Sequence, residues 1–167
     1  MSGGAFRQPE GGRVDRSRPL GFPFDRPAYR GFHGDTLASA LLANGVRLAA
    51  RSFKYHRPRG VLSAGVDEPN VLIEARTDTG ATTNLRATEV MLSEGLAVRS
   101  LNRWPSLSFD LTSVNNLAAP FLAAGFYYKT FMWPTWALFE GIIRRAAGIG
   151  VPSKRIDPAR YEQRFAH

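Results

Sequence analysis

One short helix, set in a chain otherwise rich in strand and turn signals, limits the possible folds more than any other feature. In residues 34–45 (GDTLASALLANG), Leu37, Ala40 and Leu41 recur at the i, i+3, i+4 spacing of a helical face. Ala38 and Leu42 lie beside them, and the small Ala38 permits close packing. Asp35 stands where an N-cap belongs and Asn44-Gly45 has the left-handed C-cap signature, so a helix is expected over 36–43. Before it, residues 20–25 alternate apolar and polar, Asp25-Arg26-Pro27 supplies turn chemistry, and the apolar pattern returns over 28–32. That is a β-hairpin signal, with Pro23 favouring an edge or a bulge. After the helix and a basic loop, residues 71–75 read as a buried strand and 78–80 as a turn. Segments 81–85, 90–92 and 96–98 are further strands, the last two separated by a turn at Glu94-Gly95.

Hairpin, helix, loop and strands in this order predict an α+β fold of the β-grasp type, a mixed sheet with one helix packed across it. The expected organisation is an N-terminal arm over 1–19, a β-grasp domain over 20–99, an aromatic-rich docking extension over 100–150, and a polar linker over 151–167. The extension carries Trp104, Phe109, Phe121, Phe126, Tyr127, Tyr128, Phe131 and Trp133, broken by Pro105, Pro120 and Pro134. Within it, Thr135 can cap a helix over 136–147 whose shared face is Trp136, Phe139, Ile143 and Ala146, with Gly148 as its stop. So many aromatics with so little regular pattern predict a surface buried against something outside this sequence.

The loop at 57–70 (RPRGVLSAGVDEPN) is similar to the one that wraps a [2Fe-2S] cluster in plant-type ferredoxin domains, where Cys-x4-Cys-x2-Cys and a fourth Cys hold the irons. Here Ser63, Asp67 and Asn70 fall near those positions, with the first spacing one residue short. The chain has no cysteine, so neither a thiolate-held cluster nor a disulfide can form. Asp67-Glu68 reads as part of a turn before Pro69.

Net charge is +8, divided as +7 over 1–60, −4 over 61–98 and +5 over 99–167. With no polybasic run and no nucleic-acid motif, this predicts contact with acidic neighbours in a larger assembly rather than with nucleic acid. No apolar run approaches the roughly 20 residues of a membrane span, the N-terminus is not a secretory signal, and a cytoplasmic location is expected. No phosphate-binding glycine motif, metal set or nucleophile triad occurs, and His33, His56 and His167 are scattered. The only cofactor-binding candidates are Lys54, Arg57 and Arg59, whose cations beside Tyr55 suit an anion such as a flavin phosphate. A solvated or subunit-facing basic loop is the competing reading of the same residues.

Five segments together, 15–20 (DRSRPL), 34–45, 51–60 (RSFKYHRPRG), 102–107 (NRWPSL) and 125–134 (GFYYKTFMWP), closely resemble the N-terminal region of the alpha subunit of heterotetrameric sarcosine oxidase. The resemblance implies a ferredoxin-like domain that has lost its cluster, followed in that family by a dinucleotide-binding domain toward which 151–167 would lead. It implies a complex that oxidises sarcosine with FAD, FMN and NAD and passes the one-carbon unit to tetrahydrofolate. Its implied partners are the remaining domains of the alpha subunit and the other sarcosine oxidase subunits. No catalytic or nucleotide-binding residue of that family maps onto this chain. The expected role is therefore a non-catalytic docking module. The alternative is a free-standing β-grasp subunit that binds a separate amine dehydrogenase flavoprotein.

Overall fold

Strand β1 (Asp15–Pro23) turns through residues 24–27 into β2 (Ala28–His33), and the two pair antiparallel with Leu20 opposite Gly31 and Phe22 opposite Tyr29. The computed structural model describes residues 4–78, 80–117, 119, 135 and 137–141. Asp25 takes the left-handed conformation at the hairpin turn (φ 58°), which Asp tolerates better than most residues. The strand begins at Asp15, five residues before the alternating pattern that announced it, because Asp15 to Pro19 is exposed and shows no burial alternation.

The second sheet has the order β6-β5-β7, built from β5 (Leu72–Thr77), β6 (Gly80–Arg86) and β7 (Ala97–Ser100), all antiparallel. A parallel bridge between Phe24 and Val98, and the Asp25 N–H donated to the Val98 carbonyl at 2.8 Å, lay the hairpin alongside β7. The strands thus follow one another as β2, β1, β7, β5, β6, with β5 in the middle of its own three-stranded sheet and largely buried. A further two-residue pair, β3 (Ala50–Arg51) and β4 (Pro58–Arg59), closes the basic loop. Residues 90–92, expected as a strand, form none. Their main chain instead flanks the helix start: Leu37 N–H donates to Val90 O and Leu92 N–H to Asp35 O.

Helix α1 spans Leu37–Ala43, and its N-cap is Thr36, whose hydroxyl accepts from Ser39 N–H. Asp35 is not the cap. Its fully buried carboxylate accepts from Phe32 N–H (2.9 Å), Ser39 hydroxyl (2.7 Å) and the Arg7 guanidinium (2.7 Å), joining hairpin, helix and arm. The C-terminus is as expected. Gly45 is left-handed (φ 77°), its N–H donates to Leu42 O, and Val46 N–H reaches back to Leu41 O, the pair of bonds that defines a Schellman motif. Leu37, Ala38, Ala40 and Leu41 enter the core with Phe22, Phe24, Val71, Ile73, Leu92, Leu96 and Val98, whereas Leu42 stays exposed. Phe6 N–H bonds Ala43 O, so the N-terminal arm lies against the helix.

Most of the aromatic stretch falls outside the described residues, as does the predicted 136–147 helix apart from one helical turn at 137–141. Among the described residues no helix is long and apolar enough to cross a membrane.

Close packing of hairpin against helix makes a specific demand at Gly31. A Cβ there would lie 2.4 Å from Leu92 Cδ1, 3.1 Å from Ala40 Cβ and 3.2 Å from Asp35 Oδ2. Gly31→Ala is expected to cost about 1–3 kcal/mol as overpacking, and Leu41→Ala about 2–5 kcal/mol as a cavity. Urea denaturation should report both as a lowered midpoint with unchanged slope; a neutral Gly31→Ala would contradict this packing.

Candidate functional site

Two loops carry the chemistry that the sequence pointed to. The first leaves β4 and enters β5. Its tip is a single 3-10 turn, Gly65–Asp67, with Gly65 at φ 70° and its carbonyl accepting from the Thr88 hydroxyl at 2.6 Å. Ser63, Asp67 and Asn70 occupy it as expected but do not form a ligand set. Asp67 is exposed, Asn70 is half-buried, and Ser63 Oγ is buried with no hydrogen-bond partner among the described residues.

Glu68 organises the loop instead. Its side chain is fully buried, and its carboxylate gathers four main-chain N–H groups. Leu62 and Ser63 donate to Oε2 at 2.7 and 2.8 Å; Asn70 and Val71 donate to Oε1 at 2.8 and 3.2 Å. Burial alone would raise the carboxyl pKa. The amides of Ser63, Asn70, Leu62 and Val71 outweigh it and hold the group below the usual carboxylate range. The turn before Pro69 is where the sequence put it; the role of Glu68 was missed, although the Cys-x4-Cys spacing counted from Ser63 lands on it rather than on Asp67. A [2Fe-2S] cluster does not fit here: the available side chains are a hydroxyl, a carboxylate and an amide, and the inward N–H groups are already taken.

The second loop is the basic one. Arg51, only 8% exposed, donates to the carbonyls of His56 (2.8 Å), Leu107 (2.8 Å) and Ser108 (3.4 Å) and lies 3.6 Å from Asp110 Oδ2. His56, buried and left-handed (φ 53°), sets Nδ1 2.9 Å from Asp110 Oδ2 and 2.9 Å from the Asn102 carbonyl. Two acceptors at Nδ1 require the hydrogen on that nitrogen. Asp110 also accepts from Trp104 N–H (3.0 Å), Thr112 N–H (3.1 Å) and the Thr112 hydroxyl. Burial works to raise its pKa, but the Thr112 hydroxyl, Trp104 N–H, the charge of His56 and Thr112 N–H together lower it. This buried joint clamps residues 102–112 onto the basic loop.

Of the three cofactor-binding candidates, Lys54 Nζ and the Arg57 guanidinium each lie 4.9 Å from the Tyr55 ring centroid. Arg57 also donates to Asn116 Oδ1 at 2.9 Å. Arg59 is exposed on β4 and engages through its carbonyl, which accepts from Ala49 N–H. Arg51 and Asp110, which do most to fix this loop, had no local signal in the sequence, because they lie 59 residues apart. Among the described residues no group of three or more His, Asp or Glu side chains could hold a metal ion.

Residues 17–103 match a family described as a 2Fe-2S iron-sulfur cluster binding domain. The alpha subunit of sarcosine oxidase from Rhizobium meliloti (strain 1021) is 57% identical over 166 residues, covering 98% of this chain but 17% of that protein. The alpha subunit from Corynebacterium sp. (strain U-96) is 44% identical over 92 residues, 53% of this chain and 10% of its own length. The crystal structure of L-proline dehydrogenase from P. horikoshii aligns with 54% of this chain and 17% of its own, at a TM-score of 0.41 and 19% identity, too loose to bear on function. The chain is thus a homologue of a small part of the sarcosine oxidase alpha subunit.

Of the carboxyls held below their usual range, the two buried ones, Glu68 and Asp110, bear on the acid response; Asp15 is exposed. Glu68 and Asp110 stabilise the fold fully above their unfolded pKa, about 4, and that stability is lost as pH falls through their lower folded values. The thermal midpoint should hold from pH 7 to about 5 and fall below about 4. Asp110→Asn should lower the midpoint at pH 7 and flatten the acid limb; a midpoint that rises on acidification would contradict both assignments.

Proposed function

Since the chain belongs to the 2Fe-2S iron-sulfur cluster binding domain family while carrying none of the thiolates such a cluster takes, we propose that it is a cluster-less β-grasp module of a sarcosine oxidase alpha subunit, with a docking rather than a catalytic role. The observation that carries this reading is 57% identity maintained over 98% of the chain. On it, the assembled enzyme oxidises sarcosine with FAD, FMN and NAD bound elsewhere and passes the one-carbon unit to tetrahydrofolate.

The surface supports docking. Trp104, Phe109, Leu111, Val114 and Leu117 are exposed within one short stretch, which the Asp110 joint holds to the domain. Exposed apolar side chains in that density mark a contact surface. Lys54, Arg57 and Arg59 then face an anionic group of a neighbouring domain or its cofactor.

The test is purification of the native assembly through a tag on this chain. Flavin absorbance, sarcosine oxidation and the other subunits should elute with it, and metal analysis should find no stoichiometric iron bound to this chain. Trp104→Ser combined with Phe109→Ser should leave the thermal midpoint of the chain nearly unchanged and weaken assembly by about tenfold or more. Elution without flavin, or iron at one cluster per chain, would overturn the proposal.

A further inference from the structure

We infer that Glu68 is an internal anion that does the structural work of an iron–sulfur cluster in this loop, and that its carboxylate fills a nest which would otherwise take a small carboxylate from solution. The inference rests on the loop geometry and the absent thiolates, and does not depend on the docking role.

Four N–H donors converge from two chain segments. Leu62 and Ser63 point at one carboxylate oxygen, Asn70 and Val71 at the other, so a single side chain fastens the loop's entry to its exit. Backbone N–H groups grouped in this way form anion-binding concavities, and iron–sulfur sites are among those that use them. A cluster with its thiolates is such an anion, and hydrogen bonds to its sulfurs are part of its binding. Here the loop has converging donors but no thiolate: counted from Ser63, the Cys-x4-Cys-x2-Cys spacing falls on Glu68 and Val71, and Asp67 and Asn70 lie one residue before each. Without an anion, buried donors would be left unpaired, at a large cost in free energy. Glu68 supplies the negative charge from within the loop, two residues before Asn70. The nearby Ser63 Oγ, near the first of those positions, is buried and has no hydrogen-bond partner among the described residues.

The charge and the cavity can be separated by two substitutions in the full chain, read by amide hydrogen exchange at Leu62, Ser63, Asn70 and Val71 against Ile73 and Val98 in the core. Glu68→Gln keeps the shape but turns an NH2 toward two of the donors. Exchange at one of the two amide pairs should accelerate by about tenfold or more, with the core amides unchanged. Glu68→Ala empties the nest. All four amides should accelerate, and sodium formate at about 0.2 M should restore at least half of the lost protection, relative to sodium chloride at equal ionic strength. Formate should not alter the unsubstituted chain. Exchange within about twofold of the parent in Glu68→Gln would overturn the role of the charge. A folded Glu68→Ala chain that ignores formate would overturn the nest. Should Glu68→Ala not fold, the Glu68→Gln result decides alone.

Discussion

A buried carboxylate accepts hydrogen bonds and donates none, so it must collect several donors at once or stay in water. Three segments of this chain are held by that requirement. Asp35, Glu68 and Asp110 are each 6% exposed or less. Asp35 draws together the arm through Arg7, the hairpin through Phe32 N–H and the helix through Ser39. Glu68 closes the loop between β4 and β5, and Asp110 locks the stretch after β7 to the basic loop. Each takes main-chain N–H donors: Asp35 from Phe32 near the end of β2, Glu68 and Asp110 from the loops outside the sheets. Removing a carboxylate would strand its donors, and at Asp35 and Asp110 a buried cation as well, a cost that is large on the scale of a domain's stability.

The apolar core supplies the driving force on which these joints act. Phe22 and Phe24 lead from the hairpin, Leu37 and Leu41 from the helix, and Ile73 and Val98 from the second sheet. Each fully buried large side chain stabilises the fold by roughly 1.5–3 kcal/mol. This burial brings the two sheets together across the Phe24–Val98 bridge, but being non-directional it cannot set the path of a loop. Directional bonds do that, which is why the carboxylates sit where the regular structure ends.

The loop between β4 and β5 lies in a domain of the 2Fe-2S iron-sulfur cluster binding family but carries no cysteine, and an exposed apolar stretch follows β7.

What the sequence determined by itself was local or compositional. The helix and its Asn44-Gly45 stop, the hairpin with its Asp25 turn, the strands later assigned as β5 and β6 and the Gly95 turn were legible because periodicity and turn chemistry act over a few residues. The lack of cysteine excluded a thiolate-held cluster outright. Residues 90–92 misled because their apolar run serves to flank the helix start rather than to extend a ladder, and Asp35 misled because a carboxylate beside a helix start reads as a cap until its burial is known. Glu68, Asp110 and Arg51 were missed. Their roles depend on donors between 2 and 59 positions away, and only the folded chain brings Arg51 to Asp110 or aims Leu62 and Val71 at one side chain. A directional bond needs its partner's coordinates, and those come from the tertiary structure alone.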